Sequence, residues 1–137
     1  MKFKGLNGRD YNVDLNEFKV VGSRGSRGKR SSYHKAARKL LQRKFNGYQI
    51  LEEMKVQGAS TRTLYLDFFI PVLDIAVEVH GEQHYKFIKH FHKNRTGYIN
   101  ALKRDRLKKE WCEFNGLDYI VFKFSEQVEW ENQIDDR

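Results

Sequence analysis

The stretch "LYLDFFIPVLDIAVEVHGEQHY", residues 64–85, decides the fold. It contains two runs rich in β-branched and aromatic residues, split at Pro71-Val72-Leu73, and so reads as two strands joined by a short turn. In the second strand the period of two puts Ala76, Glu78 and His80 on one face and Val77 and Val79 on the other. In the first strand Tyr65, Asp67 and Phe69 share a face. Antiparallel pairing about the turn then brings Asp67 roughly opposite Glu78. Two carboxylates placed together raise each other's pKa unless a cation compensates. Exposure to solvent, or pairing with nearby Lys and Arg, would account for an ordinary acidic pair. Hydrophobic strands are poor places for a decorative charge, however, and an oxygen-ligand site for Mg²⁺ explains both residues economically.

The end of the stretch superficially matches a zinc-protease signature, which needs two histidines on one helical face with a glutamate directly after the first. The order here is His80, Gly81, Glu82, Gln83, His84, so the glutamate falls one place late, and the preceding "IAVEV" favours a strand. Protease chemistry is therefore not expected.

Outward from this hairpin, "YQILEEMKV" (48–56) supplies another strand before the Gln57-Gly58-Ala59-Ser60 turn. Upstream of it, Ser31 or Ser32 caps a helix with Ala36, Ala37, Leu40, Leu41 and Phe45 on one stripe, stopped by Asn46-Gly47. Helical spacing returns over 97–116 and ends at Asn115-Gly116. "DYIVFKF" (118–124) is a further strand, and Ser125 is expected to cap a short last helix through Trp130. At the N-terminus, "KFKGLNGRDYNVDL" (2–15) reads as a β-hairpin turning at Asn7-Gly8. The predicted class is α/β, a mixed central sheet flanked by helices with core order α-β-β-β-α-β and an N-terminal β-hairpin. A chain of 137 residues suits one domain overall, with a hairpin and basic arm over 1–30 and a core over 31–137.

The net charge of +8 is unevenly distributed. No Asp or Glu occurs from Phe18 to Leu51, where Lys19, Arg24, Arg27, Lys29, Arg30, Lys35, Arg38, Lys39, Arg43 and Lys44 gather. A polyphosphate partner selects such a block, because each neutralised phosphate releases condensed counterions; a solvated helix face or an anionic membrane patch is the plainer account. Arg24, Arg27, Lys29, Arg30, Lys35 and Arg38, with Lys86 and Lys108 further on, are the expected DNA contacts. One cysteine, Cys112, excludes an internal disulfide, and with no apolar N-terminal run an intracellular setting is expected. No apolar stretch is long enough to span a bilayer, so no membrane partner is expected. His90 and His92 sit among Lys86, Lys89, Lys93 and Arg95 and read as phosphate contacts or exposed residues. A structural zinc site joining them to Cys112 and His84 is not expected without a C-x-x-C pair.

"LDFFIP", then "AVEVHGEQHY", then "RDRLKKEWCEFNGLDYIVF" resembles the PD-(D/E)XK nuclease superfamily over about residues 31–124. The closest part of the resemblance is to its very-short-patch-repair-like and EDxHD homing endonuclease branch, which includes phage-encoded free-standing members. The resemblance implies a restriction-endonuclease-like fold and a Mg²⁺-dependent endonuclease, with Mn²⁺ as a substitute, acting on double-stranded DNA. A homodimer is compatible with it, and a phage-encoded member would work in the cytoplasm of a bacterial host. It also implies Asp67 as central metal ligand, completed by Glu78 and the Val79 carbonyl, with His84 in proton transfer and Asp105 reaching the same site. Read from helix spacing alone, Asp105 could as well pair with Lys109.

Two departures stand out. His80 occupies the superfamily's lysine position, so a lysine mechanism is not expected, although a neutral imidazole can serve as a base. The first-helix glutamate is also missing, leaving His34 in the matching turn and Glu52 or Glu53, of which strand alternation lets only one point inward. These departures keep open a catalytically inactive nucleic-acid-binding module on the same fold. A repair nuclease that nicks mismatched or branched DNA is a further alternative.

Overall fold

Period-two alternation and a short turn build the central hairpin as expected. The computed structural model describes residues 1–22, 31–59 and 63–136. Strands β4 (Tyr65–Ile70) and β5 (Ile75–His80) run antiparallel with Phe68 opposite Val77, Phe69 opposite Ala76 and Ile70 opposite Ile75. Pro71–Leu73 form one 3₁₀ turn, closed by Asp74 in the left-handed region at φ 52°. Strand β3 (Leu51–Lys55) pairs antiparallel with β4, and β6 (Asp118–Lys123) pairs parallel with β5. The sheet is thus four-stranded and mixed, in the order β3-β4-β5-β6.

Parallel pairing of β5 with β6 requires a long crossover, and the helix α3 (Arg95–Phe114) supplies it. Asn94 caps α3 by accepting the Gly97 N–H, and the helix begins at Arg95, two residues before the predicted start. Helix α1 (Ser32–Lys44) is capped by Ser31, whose side chain accepts the His34 N–H; Gly47, at φ 91°, lies just beyond the helix end. Each sheet face is apolar and covered. Leu51, Met54, Phe69 and Ala76 pack with Trp111 and Cys112 of α3, while Phe68, Ile70, Val77 and Phe122 pack with Ala37 and Leu41 of α1. Full burial of such side chains contributes roughly 1.5–3 kcal/mol each.

The N-terminal hairpin, β1 (Lys2–Lys4) with β2 (Asp10–Asn12), packs Phe3 and Val13 into the first of these cores. Asn115 ties it to the end of α3: its Oδ1 accepts the Lys4 N–H at 2.7 Å and its Nδ2 donates to the Lys4 carbonyl at 2.9 Å. The hairpin turn is wider than a two-residue Asn7-Gly8 turn. Gly5 N–H reaches the Arg9 carbonyl at 2.8 Å, so residues 5–9 make the loop.

Three further expectations are corrected. The strand predicted from 48 begins only at Leu51, and its outer edge is held by Lys19, whose carbonyl accepts the Glu52 N–H at 2.9 Å. Ser125 caps nothing: residues 124–129 form 3₁₀ turns, and the last helix, here α4 (Trp130–Asp135), starts where the predicted one stopped. A short helix, α2 (Lys89–His92), stands in the segment between β5 and α3 where no element was predicted. Among the described residues no helix is long and apolar enough to cross a membrane.

Candidate active site

The ladder between β4 and β5 ends at Phe68 and Val77, one position short of Asp67 and Glu78. Where pairing stops, the Asp67 carboxylate enters the gap and Oδ2 accepts the Val79 N–H at 2.8 Å. Glu78 beside it is 1% exposed. From the far side of the cleft Lys108 of α3 brings Nζ to 3.3 Å from Glu78 Oε1. Ser31, His34, Gln83, His84 and Phe91 join these residues around a cavity of about 300 Å³.

Charge within the cleft is strongly biased. Burial alone would raise the Asp67 carboxyl, but a hydrogen bond with Glu78, the Lys108 charge and the Val79 N–H hold it below its ordinary value. Burial, then the Asp67 charge, drives Glu78 well above the carboxylate range, against the pull of Lys108. Asp67 is therefore the ionised member and Glu78 the protonated one. Lys108 keeps its proton, because Glu78, Asp67 and Asp105 outweigh the effect of its burial. A divalent cation fits this donor set. The donors are hard oxygens, with Glu78 giving up its proton to a cation, and among the described residues Glu78 Oε1 is a buried acceptor with no aligned hydrogen bond.

After β5, Gly81 releases the chain into a 3₁₀ turn at Glu82–His84, which folds His84 back against His80. The two imidazoles stack in parallel, 4.1 Å between centroids and 2° between planes. His84 Nδ1 lies 2.7 Å from Asp105 Oδ2 of α3. Asp105 stays ionised, since bonding to His84 and the neighbouring positive charges overcome its burial. The proton of that bond is therefore on Nδ1, and of the two imidazole tautomers Asp105 favours the one with Nε2 as the acceptor. His80 is pushed down to about 4, first by burial and then by the nearby His84, and is neutral at physiological pH. Glu82 pairs instead with Lys86 on the surface.

A second buried network stands behind Asp67. Glu52 Oε2 accepts from His34 Nε2 at 2.7 Å and from Arg38 at 2.7 Å, and Oε1 accepts from Arg38 Nε at 3.0 Å and from the Gly22 N–H at 3.1 Å. His34 stacks on Phe68 and turns Nδ1 to 3.9 Å from Asp67 Oδ1. Burial works to raise the Glu52 carboxyl, yet its bonds from His34, Arg38 and Gly22 lower it to about 2. A depressed carboxyl stabilises the fold above its unfolded value and loses that contribution as pH falls through the folded one. Wild type is accordingly expected to lose on the order of 3 kcal/mol from this group between about pH 5 and pH 2. Glu52→Gln should be less stable near neutral pH and lack that part of the acid decline; urea unfolding measured across this range checks both.

The structure places Asp67, Glu78, the Val79 backbone, His80, His84, Asp105 and His34 around one cleft. Asp105 bonds His84. Other placements differ. Lys108, expected as a DNA contact, lies inside the cleft beside Glu78. Arg38 is held by Glu52, while Lys35 and Lys86 are exposed. Glu53, at φ 58°, leaves the alternation and reaches Lys19 at 3.3 Å, so both glutamates of β3 are buried and Glu52 faces the site. His92 is buried, with Nδ1 accepting the Ile88 N–H at 2.9 Å. Arg24, Arg27, Lys29 and Arg30 lie outside the described residues.

No protein-family model and no solved structure matches the chain. Two viral proteins do, both described as uncharacterized. Protein 307L of Invertebrate iridescent virus 6 is 46% identical over 62 residues, 45% of this chain and 32% of the relative. Protein 033L of Invertebrate iridescent virus 3 is 41% identical over 62 residues, with the same coverage. The match spans about a third of each relative's length. Both relatives come from viruses of invertebrates, not from bacteriophages.

Proposed function

We propose that the chain is a Mg²⁺-dependent DNA endonuclease that hydrolyses phosphodiester bonds. The observation that carries this reading is the convergence of Asp67, Glu78 and Lys108 in one cleft where β4 and β5 part. Asp67 and Glu78 would hold the cation, which when bound neutralises charge at the phosphate and makes water easier to deprotonate. His84, fixed by Asp105, accepts the water proton at Nε2. Lys108 offers its ammonium to the phosphate oxygens as negative charge builds there. A homing-type role is the narrower form of the proposal and rests on the family resemblance.

Lys108→Met should cost about two orders of magnitude in cleavage rate, the scale of losing one preorganised donor, with little loss of DNA affinity. Single-turnover cleavage compared with equilibrium binding measures the two separately. If affinity falls and the rate at saturation holds, Lys108 is a phosphate contact only.

Replacing Arg24, Arg27, Lys29 and Arg30 together by alanine should weaken binding to all DNA sequences. The slope of log affinity against log salt should flatten by roughly one unit per lost phosphate contact. An unchanged slope would show that these side chains do not touch the backbone. DNA binding that persists with no cleavage under any condition would favour the binding module over the enzyme.

A further inference from the structure

The inward end of β5 carries a second set of ligands, chemically unlike the carboxylate pair. Among the described residues His80, His84 and Asp105 each place a ligand atom within 4.8 Å of the others. His84 Nδ1 and Asp105 Oδ2, 2.7 Å apart, are already slightly closer than two donors sharing a cation through bonds of about 2.0–2.2 Å. A small opening would let a cation replace the proton between them. His80 completes the set once its ring turns out of the parallel stack with His84, since an imidazole ligates in its own plane. It is 7% exposed, its Nδ1 faces the Tyr85 hydroxyl at 3.4 Å, and its Nε2 is buried with no hydrogen-bond partner among the described residues. A buried nitrogen with no partner is costly in a native structure, and a metal ligand is one role that resolves it.

We infer that His80, His84 and Asp105 form a site for a borderline transition cation of the Zn²⁺ class, separate from the oxygen site at Asp67 and Glu78. Two imidazoles and one carboxylate suit Zn²⁺ or Co²⁺ and suit Mg²⁺ poorly. Three protein ligands leave a coordination position open, and His84 lines the cavity shared with Gln83, Phe91 and Lys108. Binding releases the His84 proton. A cation there ties up the imidazole assigned above to proton transfer, so Zn²⁺ would oppose Mg²⁺-dependent cleavage. That consequence rests on the endonuclease reading; the binding itself does not.

The test is titration of the full chain with Co²⁺ in excess Mg²⁺, followed by visible absorption. One equivalent of Co²⁺ should give the intense bands of a four- or five-coordinate ion, and Zn²⁺ should abolish them. His84→Gln and Asp105→Asn should each weaken binding at least about a hundredfold, the upper end of what losing even a ligand's supporting partner costs. Asp67→Asn and His90→Ala should leave the bands in place. Circular dichroism verifies folding; should His84→Gln fail to fold, the partly exposed Asp105 variant decides. Absence of bands, or their persistence in the Asp105 variant, overturns the inference. So does their loss in folded Asp67→Asn or in His90→Ala. Because the readout is binding, a chain that cuts no DNA would leave the Co²⁺ result intact.

Discussion

Asp67→Ala is expected to abolish Mg²⁺-dependent DNA cleavage while leaving DNA affinity nearly unchanged. Asp67 is the ionised carboxylate of the cleft, held in that state by Glu78, Lys108 and the Val79 N–H. Removing it takes away the formal negative charge that anchors a cation and leaves Lys108 with Glu78 as its carboxyl partner in the cleft. A loss of three orders of magnitude or more is in scale with removing a metal ligand and the charge neutralisation that the metal supplies. Affinity should survive, because the exposed basic residues that would grip phosphates lie outside this pair. Filter binding in EDTA measures affinity without turnover. Equal loss of affinity and cleavage would mean that Asp67 maintains the fold, a possibility that urea unfolding of the variant checks directly.

Glu78→Gln should cost at least about two orders of magnitude in single-turnover cleavage, whereas Glu82→Gln should cost far less. The two glutamates are four residues apart and lie on opposite sides of the Gly81 break. Glu78 is buried on the strand face that looks into the cleft, 3.3 Å from Lys108. Glu82 is 47% exposed and pairs with Lys86. Titrating Mg²⁺ at saturating enzyme separates weak cation affinity from slow chemistry. A dead Glu82 variant beside an active Glu78 variant would move the chemistry onto the histidines and end the carboxylate account.

The hairpin that carries the site was readable from the sequence because its rules are local. A period of two fixed which side chains share a face, and a three-residue turn fixed the register, so Asp67 and Glu78 sit where the alternation placed them. The role of Lys108 was hidden, because which side of α3 meets the sheet depends on packing around Trp111 and Cys112 rather than on helical spacing alone. Its position three residues after Asp105 was a usable signal: residues at i and i+3 share a helix face, so both can point into one cleft. Glu53 misled because one left-handed residue interrupts the alternation. Charge clustering says nothing about partners 14 residues away, so the pairing of Arg38 with Glu52 was not legible. His92 sat among lysines and looked like a surface residue, yet the tight Ile88–His92 turn folds its ring inward between Phe87 and Tyr98.

The most direct test of the central claim is incubation of the purified chain with supercoiled DNA in Mg²⁺ and in EDTA, beside Asp67→Ala. The account predicts that wild type converts supercoiled DNA to nicked or linear forms only with Mg²⁺, and that the variant does not. Cutting by wild type in EDTA, or equal cutting by Asp67→Ala, would contradict it.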